Sequence, residues 1–482
     1  MAFLQGSLLL YFVACFASLG QFLFGYDQGV LSGILVNEDW IQTFDHPNAT
    51  MQGFVVSIFL LGAWLTSYFA SWVMDRLGRR WTIEIGSFVF IVGGILQTAS
   101  NKREELLLGR LIAGFGIGFL STVLPVYTAE LSRAHNRGRV TVAGMSINMF
   151  GYMCSAFIDY GFAFIENSSW SWRGPLLLQC VFAAILAIGC FLLPESPRFL
   201  VSKERTQNAI NVLARLYGKD ENDKQVQLEY QEIVNAVNYE RTLGQTSWRE
   251  MLTTYRRRSF IAIMVQALGQ LSGINIVTYY APQMYAVVLG EGRLTILMAG
   301  FTALAYFIGA LVAIFLVEKA GRRPLFMTGS GLMVIWLILM AVFTKINQGL
   351  TYAILVIVFT MVYVFTFGAS WACVDWLYPA EIFPLRARAK GMSLAVSSNW
   401  LCNFAVGLWT PELFAKIGWA TYLFYMAFNV IAFVIVYFTF VETKGRSLEQ
   451  IDAVFGDVNH AEALSEKPSQ PQTKEKVQDD NA

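Results

Sequence analysis

Charge is scarce in this chain. Asp, Glu, Lys and Arg make up 14% of its 482 residues, against roughly 25% in a soluble domain. Net charge is +1, so no basic field is available to bind nucleic acid. Histidine is almost missing: His46, His135 and His460 all fall in polar segments, which excludes a histidine-based catalytic or metal site. The six cysteines (Cys15, Cys154, Cys180, Cys190, Cys373, Cys402) lie in apolar runs. Their spacing gives neither a disulfide framework nor a metal site, so they read as buried structural thiols. There is no Walker loop. Gly114-Phe115-Gly116-Ile117-Gly118 has no strand before it and reads as a close helix-packing face. These absences point away from an enzyme and imply neither cofactor nor metal. A basic segment ahead of the first apolar run is also missing, so the run starting near Leu8 reads as a membrane span rather than a cleavable signal.

Apolar residues are abundant, at 55% of the chain, and mean hydropathy is +0.49. Runs of about 17–25 apolar residues mark membrane-spanning helices. They fall near 8–30, 53–74, 81–100, 106–130, 139–163 and 175–193, then near 258–289, 294–317, 324–344, 350–379, 388–410 and 418–441. The expected fold is an all-α membrane protein of twelve transmembrane helices. Its divisions are a six-helix half over 1–197, a helical linker over 198–257, a second six-helix half over 258–441, and a polar, largely disordered tail over 442–482. Within the linker, 204–217 and 226–240 have the periodicity of amphipathic helices.

Lys and Arg are absent from 31–52 but dense in 75–80, 132–139, 198–258, 318–323, 386–390 and 442–446. The alternation places the basic loops, and both termini, on the cytoplasmic side. Asn48-Ala49-Thr50 and Asn167-Ser168-Ser169 match the glycosylation pattern on the other side, Asn48 being the better candidate.

The charged loops repeat. Asp75-Arg76-Leu77-Gly78-Arg79-Arg80 returns as Glu318-Lys319-Ala320-Gly321-Arg322-Arg323, an offset of 321 − 78 = 243. Glu130 returns as Glu381 (381 − 130 = 251), and Glu195 as Glu442 (442 − 195 = 247). Near-equal offsets indicate one duplication of half the chain, the architecture of a secondary transporter. The basic residues Arg79, Arg80, Arg137, Arg198, Arg322, Arg323 and Arg388, with Glu130, Glu195, Glu318 and Glu381, are then expected to form a gate on the cytoplasmic side. Each also serves as a topology signal.

An ionisable group inside a span costs about 2.5–3.5 kcal/mol on insertion scales and marks function. Asp27 in the first span and Arg110 in the fourth have opposite charge. As a pair they can alternate between an ion pair and a neutral acid, the minimum for proton coupling; a fixed structural ion pair is the alternative. Asp375 and Asp159 are further intramembrane carboxylates. Gln270, Asn275, Asn399 and Asn403 are amides within spans, and amides donate and accept without charge. With Tyr279, Tyr280, Trp376 and Trp400 close in sequence, they suit a polyhydroxy ligand; the alternative is helix-to-helix bonding.

Taken together, Phe24-Gly25-Tyr26-Asp27, the two Gly-Arg-Arg loops, Pro194-Glu195-Ser196-Pro197-Arg198, Gln270-Leu271-Ser272-Gly273-Ile274-Asn275, Pro379-Ala380-Glu381-Ile382-Phe383-Pro384 and Ser398-Asn399-Trp400 resemble the sugar porters of the major facilitator superfamily, especially fungal hexose and monosaccharide transporters. The resemblance covers roughly residues 20–446. It implies the major facilitator fold, alternating access around a central site, sugar hydroxyls held by Gln270, Asn275, Trp376 and Asn399, and proton symport through Asp27 with Arg110. The resemblance and the glycosylation pattern point to the plasma membrane, with a vacuolar membrane as the alternative, and the expected partner is a sugar or polyol carried by a monomer. A uniporter, a disaccharide or quinate-type carrier and a non-transporting sensor remain open. The chain departs from the pattern at Met145, Gly269 and Tyr306, which stand where relatives carry amides. Asp375, beside Trp376, is an added carboxylate, read as a second protonation or specificity site.

Overall fold

The computed structural model describes residues 5–131, 137–244, 246–346, 349–446 and 448–456. Its regular secondary structure is entirely helical among the described residues. In chain order the first half holds α1 (Gly6–Ile34), the short α2 (Glu38–Thr43), α3 (Ala49–Leu77), α4 (Arg79–Ala99), α5 (Arg103–Leu131), α6 (Arg137–Phe162) and α7 (Trp170–Cys190). The linker follows as α8 (Pro197–Ser202), α9 (Thr206–Tyr217), α10 (Lys224–Leu243) and α11 (Trp248–Leu252). The second half holds α12 (Arg256–Gly269), α13 (Asn275–Leu289), α14 (Arg293–Ala320), α15 (Arg322–Ile346), α16 (Leu350–Ser370), α17 (Val374–Ile382), α18 (Leu385–Ile417) and α19 (Ala420–Thr439). α20 (Leu448–Phe455) closes the described chain.

Among the described residues nine helical segments are long and apolar enough to cross a bilayer. α1, α6 and α18 complete the twelve by their place in the repeat. α18 is the least apolar because Ser397, Ser398, Asn399 and Asn403 interrupt it; a bundle interior, not lipid, must receive those groups. Large apolar side chains such as Phe88, Phe315 and Phe438 stand two-thirds or more exposed, as lipid-facing surfaces require.

Both halves pack by one plan. α4 lies on α5 and α7 as α15 lies on α16 and α19, while α3 lies on α5 as α14 lies on α16. The halves meet where α3 runs along α18 and α6 along α14. The glycine run of α5 is a packing face: a Cβ on Gly114 would lie 2.1 Å from the Phe59 carbonyl oxygen, and one on Gly116 2.6 Å from Phe90 N. Two spans of the second half are broken. α12 passes into α13 through a π-turn at Gln270–Ile274, where Gly273 has φ +99°, a value open to glycine without strain. The displaced Ser272 carbonyl accepts from Tyr363 Oη (3.0 Å) and Asn429 Nδ2 (2.7 Å), so that carbonyl is not stranded in the bilayer. α16 stops at Ser370 and resumes as α17 at Val374.

Candidate functional site

On the face carrying the basic loops, each half closes around one arginine. Arg79 donates through Nε and Nη2 to the two Glu130 carboxylate oxygens, both at 2.8 Å. Glu195 accepts from the backbone N–H groups of Arg79 (2.9 Å) and Arg80 (3.3 Å). In the second half Arg322 donates to Glu381 at 3.0 and 2.6 Å, and Glu442 accepts from Arg322 N and Arg323 N, each at 3.0 Å. Bidentate guanidinium–carboxylate pairs are among the stronger polar contacts. Gly78 (φ +100°) and Gly321 (φ +91°) place those backbone donors. Tyr127 Oη donates to the Pro194 carbonyl and Tyr378 Oη to that of Val441, each at 2.7 Å. Burial pushes the Glu195 carboxyl above the usual carboxylate range, while backbone N–H donors from Ser196, Arg79 and Arg80 pull it down.

These clamps differ from the expected gate in one respect: each closes on its own half, with Glu442 supplied by the start of the tail. Arg198 pairs instead with Glu240 of the linker, and Arg388 donates to the Phe383 carbonyl at 3.3 Å. Glu318 is exposed. The Arg137 side chain lies outside the described residues. Sequence reasoning left Tyr127, Tyr378 and Glu442 out of the cluster, although their offsets match those of Glu130 and Glu195. On the opposite face the halves are tied directly. Arg293 donates to the Ala163 carbonyl at 2.9 Å and pairs with Glu166, and Gln283 Nε2 donates to Gln52 Oε1 at 2.8 Å. Asn48 is exposed on this face, with its Oδ1 capping α3 through Met51 N (2.9 Å).

Asp27 and Arg110 meet inside the first half. Arg110 Nη1 donates to Asp27 Oδ1 at 3.0 Å, and both residues are 2% exposed or less. Phe59 lies under the guanidinium at 4.3 Å. Asp27 Oδ2 has no partner among the described residues.

One turn away, a small cavity of about 50 Å³ lies between the halves. Phe24, Gln28, Met145 and Asn148 line it from the first half, and Gln270, Asn275, Thr278, Tyr306, Asp375, Trp376, Asn399 and Asn403 from the second. The broken helices supply Gln270, Asn275, Asp375 and Trp376. Asn275 Nδ2 donates to Gln270 Oε1 and Asn399 Nδ2 to Gln266 Oε1, each at 2.6 Å. Gln266, one turn before Gln270, was not singled out in the sequence; its i, i+4 spacing to Gln270 was the available signal. Tyr279, Tyr280 and Trp400 are corrections: they stand behind the wall. The π-turn and the non-helical Tyr280 (φ −130°) rotate α13 away from the simple helical face. Tyr279 Oη donates to Asn403 Oδ1 at 3.1 Å and Tyr280 Oη to the Gly407 carbonyl at 2.7 Å, while Trp400 packs on Phe24 with ring centroids 5.5 Å apart. Asp159 is also buried, 4% exposed against Gly33.

Two like bundles, a polar cavity lined from both, and a buried ion pair beside it define a membrane carrier of the major facilitator fold. Comparison with known proteins agrees. The bacterial proton:xylose symporter XylE, solved with 6-bromo-6-deoxy-D-glucose, superposes with a TM-score of 0.76 at 26% identity, over 92% of this chain and 99% of that one. The chain belongs to the sugar (and other) transporter family, whose model matches residues 13–455. Among relatives, the sugar transporter STL1 of Saccharomyces cerevisiae is 33% identical over 94% of this chain and 82% of its own length. The high glucose sensor RGT2 of the same yeast is 31% identical over 94% of this chain but 61% of its own length.

Proposed function

We propose that this chain carries a neutral sugar or related polyol across the plasma membrane by alternating access, in symport with a proton. Gln270, Asn275, Trp376 and Asn399 hold the solute, and Asp27 with Arg110 holds the proton. Residues 1–197 and 258–441 act as the moving halves, and 198–257 joins them on the cytoplasmic side, where both termini lie. The Arg79 and Arg322 clamps keep the cytoplasmic end of each half rigid, so the halves rock as units rather than unravel. The protein works as a monomer, and Asn48 is open to glycosylation.

One observation carries the coupling. Asp27, which accepts from Arg110 at 3.0 Å, is followed directly by Gln28 in the wall of the cavity between the halves. The ion pair of the first half thus sits on the helix that lines the solute site. A proton on Asp27 removes the attraction for Arg110 and frees the guanidinium to shift. Relatives named as a proton:xylose symporter and as a sugar transporter support the same reading.

The test is Asp27→Asn in proteoliposomes. Uphill accumulation driven by a pH gradient is expected to vanish while solute exchange at equilibrium persists. Accumulation unchanged in the variant contradicts the assignment.

A further inference from the structure

Where the first half meets the linker, on the face of the basic loops, a second cavity of about 380 Å³ opens beside the Arg79 clamp. The start of α4, the end of α7, α8 and α9 enclose it. Three guanidinium groups line it: Arg80 from α4, Arg215 from α9, and Arg205 just ahead of α9. Glu195 is the one carboxylate among the lining residues, and it already accepts from the backbone N–H groups of Arg79, Arg80 and Ser196. Arg80 Nε and Arg215 Nε are buried with no hydrogen-bond partner among the described residues. Arg80 Cζ stands 5.9 Å from the Trp81 ring and 5.7 Å from that of Phe191, contacts that use no N–H donor. Its repeat counterpart Arg323 instead donates through Nη2 to the Tyr437 carbonyl at 2.6 Å. Buried donors of this kind require an acceptor, and guanidinium groups gathered in one cavity suit the oxygens of a phosphate.

The rim of the cavity is apolar. Leu77, Trp81, Phe191 and Leu192 line it and are 44–53% exposed. They stand at the ends of α3, α4 and α7, so the rim lies where hydrocarbon meets headgroups, the level aromatic side chains favour. A soluble anion makes no use of such a rim, whereas an acyl chain does.

We propose that this cavity is a phospholipid site: Arg80, Arg205 and Arg215 take the phosphate of an anionic lipid in the leaflet on that face, the apolar rim flanks its acyl chains, and the bound lipid joins linker helix α9 to the first half. Three cations against one engaged carboxylate select an anionic headgroup over a zwitterionic one, whose own cation would be repelled. Asn208 and Asn211, also in the wall, offer neutral donors and acceptors to the rest of the headgroup. The site shares no residue with the solute cavity.

The experiment uses the purified full chain, delipidated in detergent and titrated with palmitoyl-oleoyl phosphatidylserine or phosphatidylcholine, with bound lipids counted by native mass spectrometry. Wild type is expected to retain one phosphatidylserine at least 10-fold more tightly than phosphatidylcholine. Each cation near an anionic surface contributes about fivefold, so Arg205→Gln with Arg215→Gln should weaken phosphatidylserine about 30-fold, and lysine at both positions should restore most of the preference. The single variants, at about fivefold each, stand in if the double variant does not fold. Arg256→Gln with Arg257→Gln, exposed basic residues outside the cavity, should change the affinity less than twofold. Equal retention of the two lipids, or phosphatidylserine binding unchanged in the Arg205 and Arg215 variants, overturns the proposal. So does an equal loss in the Arg256 and Arg257 variant, which would mean a diffuse field rather than a site. Inorganic phosphate or glycerophosphoserine at millimolar concentration raising the melting temperature as much as the lipid does would assign the cavity to a soluble phosphate and overturn the lipid reading. No transport is measured, so the outcome is independent of the solute and of proton coupling.

Discussion

The two arginine clamps are the same device in different settings. In each, a guanidinium grips a carboxylate one helix away. A second carboxylate takes the backbone N–H groups just after a glycine, and a tyrosine pins the following loop. The Arg79–Glu130 side chains are each 10% exposed, whereas Arg322 and Glu381 are 15% and 22% exposed. The second clamp compensates with more bonds. Thr443 Oγ1 donates to Glu381 Oε2 and Lys444 Nζ to the Lys319 carbonyl, each at 2.6 Å, while Lys444 N to Glu442 Oε1 matches Ser196 N to Glu195 Oε1 at 2.8 Å. The first clamp is sealed instead by α8, whose Ser196 caps Phe199 N. Duplication preserved the charges. The segment that follows each half, linker or tail, decided how dry they are. A drier pair has a larger cost when broken, because the orphaned charge has less water to turn to.

That difference sets an order of effects. Arg79→Ala should be the most damaging change, of order 3 kcal/mol, since it strands Glu130. Arg322→Ala should cost about half as much, because Glu381 keeps Thr443 and has more access to water. Melting temperature in detergent, with surface expression as a second readout, checks both, and equal losses would break the comparison. Next come the glycines. Gly78→Ala and Gly321→Ala each force a positive φ on a side-chain-bearing residue, at about 1–3 kcal/mol. The new Cβ would lie 2.3 Å from Glu195 Oε2 in the first case and 2.7 Å from Glu442 Oε2 in the second, so Gly78→Ala should melt lower. The smallest effects belong to the tyrosines, at about 1 kcal/mol per hydrogen bond, and here the order reverses. Tyr378 Oη both donates to the Val441 carbonyl and accepts from Val441 N at 2.9 Å, whereas among the described residues Tyr127 Oη has the one bond to Pro194. Tyr378→Phe should therefore cost more than Tyr127→Phe. If burial alone governed the clamps, the two losses would be equal, since both tyrosines are fully buried.

Much of this was legible in the residues. The duplication showed in three offsets, and with it the pairing of each Gly-Arg-Arg loop with its glutamates. Applied further, the same arithmetic reaches Tyr127 and Tyr378 (378 − 127 = 251). The confinement of each clamp to one half was not legible. Charge pattern tells which face a group occupies, not which neighbour it meets. The amides Gln270, Asn275 and Asn399 were visible because polar groups are rare in spans. Tyr279 and Tyr280 follow Asn275 but stand one layer back, because a π-turn changes the face a helix presents within a few residues, and Trp400, beside Asn399 on α18, packs on Phe24 instead. Gln266 passed unnoticed for lack of a second signal. A Cβ on Gly269 would stand 3.1 Å from Asp375 Oδ2; the two residues are 106 positions apart (375 − 269), and only packing reveals their contact.

The most direct measurement is external pH in a lightly buffered suspension of yeast lacking its own hexose transporters and expressing this chain, after addition of each neutral solute in turn. Coupling through Asp27 and Arg110 predicts a transient alkalinisation with the transported solute, lost in Asp27→Asn. Entry of labelled solute with no pH change would contradict it and leave the buried pair a structural one.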